Sequence, residues 1–181
     1  MNSHEGPVIV CGLGRVGWPV LQYCQMLGWK VIAVDNQCSA EDPRLQGIEF
    51  HRGSYRDPAI LDKLPLQQAR GIILLANDDL NNLAAALEIR RRSSSIRIVV
   101  RLFNENLVAK LSKTIPHVIA LSSSRLSGPL LASTALSGEV LTRFHATGTD
   151  WHVEQIDIEQ DSPLQKLTQP ASASVFPTLP C

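Results

Sequence analysis

The sequence has few aromatic residues, no net charge and no long apolar run. Aromatic residues make up 5% of its 181 residues, and Lys+Arg 17 balance Asp+Glu 17. No stretch approaches the roughly 18 uninterrupted apolar residues that a membrane-spanning helix needs. Residues 1–7 have neither the basic nor the apolar region of a signal peptide. Because 44% of the residues are hydrophobic and 19% are charged, a disordered chain is excluded and a folded protein is expected. Because neither a spanning run nor a signal peptide is found, we expect this protein to be cytoplasmic.

Cysteines and histidines are also few, and they are widely spaced. Cys11, Cys24, Cys38 and Cys181 form no CxxC pair, and Cys11 lies inside an apolar run. This usage is typical of reduced thiols that pack as small hydrophobic residues. The 5 histidines show no HxxxH or HxxE spacing, so no metal site is predicted.

The balanced charge hides a segregation along the chain. Residues 1–89 carry 7 basic and 10 acidic side chains, residues 90–143 carry 9 and 2, and residues 144–181 carry 1 and 5. A basic middle segment raises nucleic acid as a partner. No aromatic residues are interleaved with the arginines at 90–92, however, and the pI near 7.0 is low for a nucleic-acid-binding domain. We therefore predict the solvated back of a helix plus one anion-binding arginine, and no nucleic-acid partner.

Short apolar runs alternate with helical patterns along most of the chain. This alternation is typical of a parallel sheet with crossover helices, and almost continuously apolar strands are covered on both faces. Six runs predict a full doubly wound α/β sheet. They are Val8–Cys11, Val31–Val34, Ile48–His51, Ile72–Leu75, Ile96–Val100 and Val118–Leu121.

Capping residues indicate where the connecting helices begin. Asp57, Asp78 and Asn104 each precede a helical pattern, and Pro58 suits the first turn after Asp57. The helix after Asp78 has one apolar stripe of the kind that packs on a core. The stripe is formed by Leu80, Leu83, Ala84 and Leu87.

The pattern of residue types changes after the sixth predicted strand. A serine cluster precedes an apolar, small-residue helix that we predict from Leu126 to Phe144. Packing against a second subunit, or against its own sheet, would bury this helix. From Trp151 apolar and polar residues alternate, which predicts a half-exposed strand. Residues 167–181 carry no charge and several prolines, and we expect a poorly ordered tail there.

A glycine-rich motif lies directly after the first strand and opens a helical pattern. It consists of Gly12, Leu13, Gly14, Arg15, Val16 and Gly17. In a strand-turn-helix context, Gly12 allows the tight turn, Gly14 lets a pyrophosphate approach the backbone, and Gly17 lets the helix pack close to the strand. The amides at residues 14–16 would then point a helix N-terminus at an anion.

The second strand ends in Asp35, where an acidic side chain accepts hydrogen bonds from the ribose hydroxyls of adenosine. A carboxylate there repels a 2′-phosphate, and the next residues, Asn36, Gln37, Cys38 and Ser39, include no arginine. This argues against NADP. NAD, ATP, ADP and AMP all stay open because they share the adenosine end.

The proton-transfer groups of a dehydrogenase are missing from the recognisable motifs. Tyr23 and Tyr55 are the only tyrosines, and neither has a lysine four residues on. The roughly 30 residues after Thr149 are too few for an added substrate domain. We predict that the nucleotide is sensed rather than used in catalysis. The alternative is a small NAD-dependent oxidoreductase, or the cofactor-binding half of one.

Several motifs together are similar to those of one family. They are Val8–Gly17, Val34-Asp35, Gly53, Ala76–Leu83 and Ile98–Arg101. The run from Val8 to about Phe144 resembles the N-terminal lobe of an RCK domain, also called KTN or TrkA-N. This Rossmann-like module senses nucleotides on the cytoplasmic side of potassium channels and Trk/Ktr-type transporters. The family usually has an Asp where this chain has Ser54, and Thr or Ser where it has Asn77.

The resemblance implies a regulatory, non-catalytic domain over residues 1–145, with residues 146–181 as the incomplete start of a C-terminal lobe. It implies NAD(H) as the first ligand and ATP, ADP or AMP as alternatives. It also implies a homodimer through the helix Leu126 to Phe144, with a higher ring left open, and a potassium channel or transporter subunit at the inner face of the membrane as partner. The predicted binding residues are Gly12, Leu13, Gly14, Arg15, Val16, Gly17, Asp35, Asn36, Gly53, Ser54, Ala76, Asn77, Asp78 and Arg101.

Overall fold

The computed structural model describes residues 6–137, 142–146 and 149–153, and the chain divides into two units between Ser122 and Ser123. The first unit contains β1 (Val8–Cys11), α1 (Gly17–Met26), β2 (Val31–Asp35), β3 (Glu49–Arg52), α2 (Pro58–Leu61), β4 (Gly71–Leu74), α3 (Asp79–Arg92), β5 (Ile98–Arg101), α4 (Glu105–Thr114) and β6 (Val118–Leu121). A short 3₁₀ turn, Pro43–Leu45, lies between β2 and β3. The second unit contains α5 (Ser123–Ser137), β7 (Thr142–Ala146) and β8 (Thr149–Val153).

The six strands of the first unit form one parallel sheet in the order β3-β2-β1-β4-β5-β6. The predicted doubly wound, Rossmann-like sheet is confirmed. Strand order reverses beside β1, because the chain runs outward to β3 on one side and to β6 on the other. Ligands of such sheets bind at the carboxyl ends of the strands next to this reversal.

The central strand β1 separates two apolar cores. All four of its residues are buried, as expected for a strand covered on both faces. Ile9 and Cys11 belong to the core beneath α3, and Val8 and Val10 belong to the core beneath α1. The period-two alternation of a strand thus divides one apolar run between two layers of helices.

The predicted caps are confirmed, but α3 buries a different face from the one predicted. Asp57, Asp78 and Asn104 each accept a hydrogen bond from the first turn of their helix. Leu80 is 73% exposed and Leu87 is 50% exposed. The buried residues of α3 are Asn82, Ala85, Ala86 and Ile89.

The stripe prediction for α3 holds only at Leu83, which is partly buried against the core, and was wrong at the other three positions for two physical reasons. Ala85 and Ala86 are small, so the helix axis can approach the sheet closely along that face. Asn82 also lies on this face, and its amide bonds the carbonyl oxygens of Ala76 and Arg101. Turning the leucines inward would leave these polar groups unpaired.

The helix predicted from Leu126 to Phe144 is also corrected. Helix α5 ends at Ser137, and Phe144 lies in β7, opposite Trp151 of β8 in an antiparallel pair. Thr142 and Phe144 favour a pleated strand over a helix, and β8 supplies the strand they pair with. The strand predicted at Trp151 is present as β8, whereas the predicted tail beyond residue 153 lies outside the described residues.

The arginine run at the end of α3 is used within the fold. Arg90 donates to the carbonyl oxygens of Ser93 at 2.9 Å and Ile96 at 2.7 Å. Arg91 and Arg92 both pair with Glu88, each at 2.7 Å. Cations at a helix C-terminus also interact favourably with the helix dipole.

Among the described helices, none is long and apolar enough to cross a membrane.

Candidate functional site

A cavity of about 730 Å³ opens at the carboxyl ends of the central strands. This volume lies within the usual range of small-molecule sites. The predicted residues that line it are Gly12, Leu13, Gly14, Asp35, Asn36, Gly53, Ser54, Ala76, Asn77 and Asp78. The structure thus brings together residues from four separate segments, as the topology of the sheet requires.

Each glycine of the motif has a different structural environment. Gly12 adopts φ +93°, a left-handed conformation that side chains rarely adopt. A Cβ atom at Gly17 would lie 1.9 Å from the carbonyl oxygen of Gly12, so this position admits only glycine. A Cβ atom at Gly14 would meet nothing within 4 Å. Space therefore stays open beside Gly14, on the cavity wall.

Helix α1 begins next to this open space without a capping side chain. Its N-cap residue is Val16, and among the described residues no side chain bonds to the first turn of α1. Helices α2, α3 and α4 are all capped by an Asp or Asn side chain. Uncapped amides and the positive end of the dipole make the start of α1 suited to an anionic group.

Asp35 connects the glycine-rich turn to the loop after β2. Its Oδ2 accepts from Leu13 N at 2.7 Å, and its Oδ1 accepts from Gln37 N and Cys38 N, each at 2.7 Å. Gly53 N donates to the Asp35 carbonyl oxygen at 3.0 Å, which places the end of β3 beside it. A carboxylate offers about four acceptor positions. One acceptor position therefore remains on Oδ2.

The loops after β3 and β4 form the facing wall. Asp78 Oδ1 accepts from Asn81 N at 3.0 Å and begins α3. Arg56 donates to Asn81 Oδ1, which joins the two loops. Tyr55 lines the cavity, but burial raises the pKa of its phenol, and its hydroxyl donates to Asn82 Oδ1 at 2.9 Å.

Four predicted residues lie outside the cavity lining. Arg15, Val16 and Gly17 belong to the turn and to the start of α1, behind Gly14. Arg101 ends β5, where its Nη1 donates to Asn77 Oδ1 at 2.8 Å and its guanidinium lies 4.4 Å from the Phe103 ring centroid. Arg101 therefore does not line the cavity itself, but it bonds Asn77, which does.

The cavity is also lined by residues that the sequence did not predict. They are Trp18, Gln37, Cys38, Ser39, Asp42, Arg44, Tyr55, Arg56, Leu75 and Asn81. Most of them directly follow a strand end or the glycine-rich motif, so the topology alone would have suggested them. Asp42 and Arg44 carried a local signal as well, because Asp42-Pro43 repeats the cap-and-proline pattern of Asp57-Pro58.

Asp42, Arg44 and Trp18 form one wall of the cavity beside Asp35. Arg44 donates from Nε to Asp42 Oδ1 at 2.9 Å and from Nη2 to Asp42 Oδ2 at 2.7 Å. Its Cζ lies 3.7 Å from the centroid of the Trp18 ring. The hydrogen bonds from Arg44 lower the pKa of Asp42 to about 2. Burial raises the pKa of the nearby Cys38 thiol, as do Asp42 and Asp35.

Within residues 6–137, 142–146 and 149–153, no group of three or more His, Cys, Asp or Glu side chains is placed to hold a metal ion. Cys11 and Cys24 are buried in the two cores.

The strand order, the uncapped α1 and the acid at the end of β2 define a Rossmann-like α/β fold. The model of the TrkA-N domain family matches residues 8–121, which is more than half of the chain. The chain belongs to the TrkA-N domain family. A comparison with curated proteins found no match.

Solved structures with the same fold include domains of membrane proteins. The TrkA-N domain of the inner membrane protein ybaL from Escherichia coli is 17% identical, with 73% of this chain and 94% of that chain covered and a TM-score of 0.61. The Kef CTD of Shewanella denitrificans in its AMP-bound form is also 17% identical, with coverage of 73% and 82% and a TM-score of 0.59. GsuK bound to ADP is 23% identical, with coverage of 76% and 36% and a TM-score of 0.63.

The GsuK channel has also been solved bound to NAD. This chain spans only 36% of the GsuK chain in the ADP complex. At these levels of identity the likeness shows the fold alone.

Proposed function

We propose that this chain is a nucleotide-sensing regulatory domain that gates a potassium channel or transporter at the cytoplasmic face of a membrane. Its first ligand is NAD(H), and ATP, ADP or AMP are the alternatives. The observation that carries the proposal is the Asp35 carboxylate, which has one acceptor position left at the edge of a cavity that Gly14 keeps open.

The cavity supports an adenine nucleotide in a definite orientation. The adenosine ribose would donate a hydroxyl to Asp35, and the pyrophosphate would lie against Gly14 at the start of α1. The base would then lie between the loops after β2 and β3. Relatives of this fold bound to AMP, ADP and NAD share the same adenosine end, which supports the ligand class.

The hydrogen bonding of the cavity supports sensing over catalysis. Asp35 is held by three backbone amides, and Tyr55 donates its hydroxyl to Asn82. Asp42 is paired with Arg44. In the part of the chain that the structure describes, no His or Lys lines the cavity. The groups that could transfer a proton are therefore engaged in structure, whereas an oxidoreductase would need one poised for transfer.

Nucleotide binding would act on the membrane partner through a dimer. A ligand shifts an equilibrium between two arrangements only by its difference in affinity for them. Helix α5 provides the dimer contact in this proposal, because Leu131 is 68% exposed on it. Residues 1–145 would form the nucleotide-binding domain, and residues 146–181 would begin a second lobe.

The ligand site is tested by calorimetry with NADH and with ADP. We expect Asp35→Ala to weaken both by about tenfold or more, since it removes a charge-assisted hydrogen bond to the ribose. Glu41→Ala is the matched control, because Glu41 is an exposed acid outside the cavity lining. Unchanged affinity for both ligands in Asp35→Ala would refute the site.

Two further measurements test the remaining parts of the proposal. Mass spectrometry of ligand released from purified protein identifies the nucleotide, and steady oxidation of NADH with a hydroxy-acid or aldehyde couple would favour the oxidoreductase instead. The dimer is tested by light scattering of Leu131→Glu, which we expect to be monomeric. A dimer that survives this substitution would place the contact elsewhere.

A further inference from the structure

We infer that Asp42 is a specificity residue, which holds Arg44 in a two-bond ion pair so that the cavity selects a ribose 2′-hydroxyl over a 2′-phosphate. The inference rests on the proposed function and adds a second determinant to Asp35. It also assigns a role to the connection between β2 and β3.

Arg44 is the type of residue that accommodates a 2′-phosphate, and it lies where such a residue acts. In Rossmann-like sites an arginine near the ribose accommodates this phosphate, and an acid in its place favours the hydroxyl. Arg44 lines the same cavity as Asp35, and its side chain is 52% exposed. Residues 36–39, which directly follow β2, include no arginine, and Arg44 lies five residues beyond them.

The guanidinium of Arg44 is already committed to another anion. Its Nε and Nη2 bind both oxygens of Asp42, at 2.9 Å and 2.7 Å, in the two-pronged geometry that makes arginine-carboxylate pairs strong. The backbone N of Arg44 also donates to Asp42 Oδ1 at 3.0 Å. One face of the guanidinium is covered by Trp18. The guanidinium is thereby held in place, and its positive charge is balanced by the negative charge of the Asp42 carboxylate.

The charges on this wall oppose a second phosphate. Asp35, Asp42 and Arg44 together leave one negative charge, and residues 36–39 are uncharged side chains. A phosphate monoester adds about −1.5 to −2 near neutral pH. A hydroxyl, in contrast, can donate to Asp35. The Asp42–Arg44 pair therefore disfavours NADP(H) even though an arginine is present.

The test compares ligands that differ only in the 2′-phosphate: NADH with NADPH, and 5′-AMP with adenosine 2′,5′-bisphosphate. Asp42→Asn removes the charge but keeps a side-chain oxygen to cap the 3₁₀ turn. We expect it to shift the ratio of Kd values toward the 2′-phosphorylated ligand by about tenfold in each pair. Adding Arg44→Ala should abolish this gain, and Glu41→Gln, which removes one nearby exposed charge, should leave the ratio within about twofold.

Arg52 provides a second control, because it lies close enough to Cys38 to affect its pKa but does not line the cavity. Arg52→Gln in the Asp42→Asn background should keep the gain. The inference is overturned if Asp42→Asn leaves the ratio unchanged, or if the gain survives loss of Arg44. Asp42→Ser, which also caps, replaces Asp42→Asn if that variant does not fold.

Failure of the inference is distinguishable from failure of the proposed function. If the wild-type chain binds none of the four nucleotides, the proposed function fails and the inference fails with it. If the wild type binds NADH or AMP but the ratio does not respond to Asp42, only the inference is refuted.

Discussion

Tyr55 donates its hydroxyl hydrogen to Asn82 Oδ1 at 2.9 Å, in a buried contact between the segment after β3 and helix α3. The same amide donates from Nδ2 to the carbonyl oxygens of Ala76 at 2.9 Å and Arg101 at 2.8 Å. One side chain of α3 thus joins the segments that follow β3 and β4 to the end of β5. The facing wall of the cavity is held together by it.

We expect Asn82→Ala to lower the free energy of unfolding by about 3 kcal/mol, because it leaves two carbonyl oxygens and the Tyr55 hydroxyl without this partner. Tyr55→Phe should cost only about 1 kcal/mol, since it removes one hydrogen bond. Urea denaturation measures both. Asn106→Ala, on an exposed position of α4, is the control and should change stability by less than about 0.5 kcal/mol. Equal losses for Asn82→Ala and Tyr55→Phe would contradict this account.

The glycines of the turn should separate stability from binding. Gly17→Ala would place Cβ 1.9 Å from the Gly12 oxygen, so we expect it to destabilise the fold severely. The Cβ atom of Gly14→Ala would meet nothing within 4 Å, so this variant should unfold at nearly the wild-type temperature. Its nucleotide affinity should nevertheless fall by about tenfold or more, because a methyl group occupies the space for the pyrophosphate.

Thermal unfolding and calorimetry on the two variants decide this prediction. Wild-type affinity in Gly14→Ala would show that the phosphates lie elsewhere. A well-folded Gly17→Ala would show that the turn is more adaptable than its geometry suggests.

His117 has φ +57°, a left-handed conformation at the start of β6. Because a side chain with Cβ is strained there, we expect His117→Gly to stabilise the fold by about 0.5–1 kcal/mol. His117→Val should destabilise it, since a β-branched residue tolerates this conformation least. Differential scanning calorimetry measures the direction of both changes. A loss of stability in His117→Gly would mean that the imidazole contributes more than the strain costs.

The pH dependence of the Asp42–Arg44 pair follows from the pKa of Asp42, which is lowered from 3.8 to about 2. A carboxylate whose folded pKa is lowered contributes stability above its unfolded pKa and loses it as the pH falls through the folded value. The pair should therefore be complete above about pH 4 and be lost toward pH 2. Carbonyl NMR of Asp42 should show the low midpoint, and Arg44→Ala should raise it. A wild-type midpoint near pH 4 would show that the pair does not persist in solution.

The strands, the caps and the glycine-rich turn could be predicted because their signals are local. A run such as Val8–Cys11 is apolar over its whole length, and Asp57 and Asp78 bond amides within three residues. The face that α3 buries could not be predicted in this way. Leu80 and Leu87 favour burial individually, but the fit of Ala85 against the sheet and the hydrogen bonds of Asn82 decide the rotation of the helix.

The sequence by itself determined the alternation of strands and helices, the turn at Gly12 and the acid at Asp35, since each depends on neighbouring residues or on a short fixed spacing. The tertiary structure decided that Arg44 stacks on Trp18 and that the Asp42–Arg44 pair, which is itself local, lines the same cavity as Asp35. It also decided that Asn82 joins the segments after β3 and β4 to the end of β5. The physical reason is that these contacts bring together segments distant along the chain, and only the packing of the sheet sets which side chains meet.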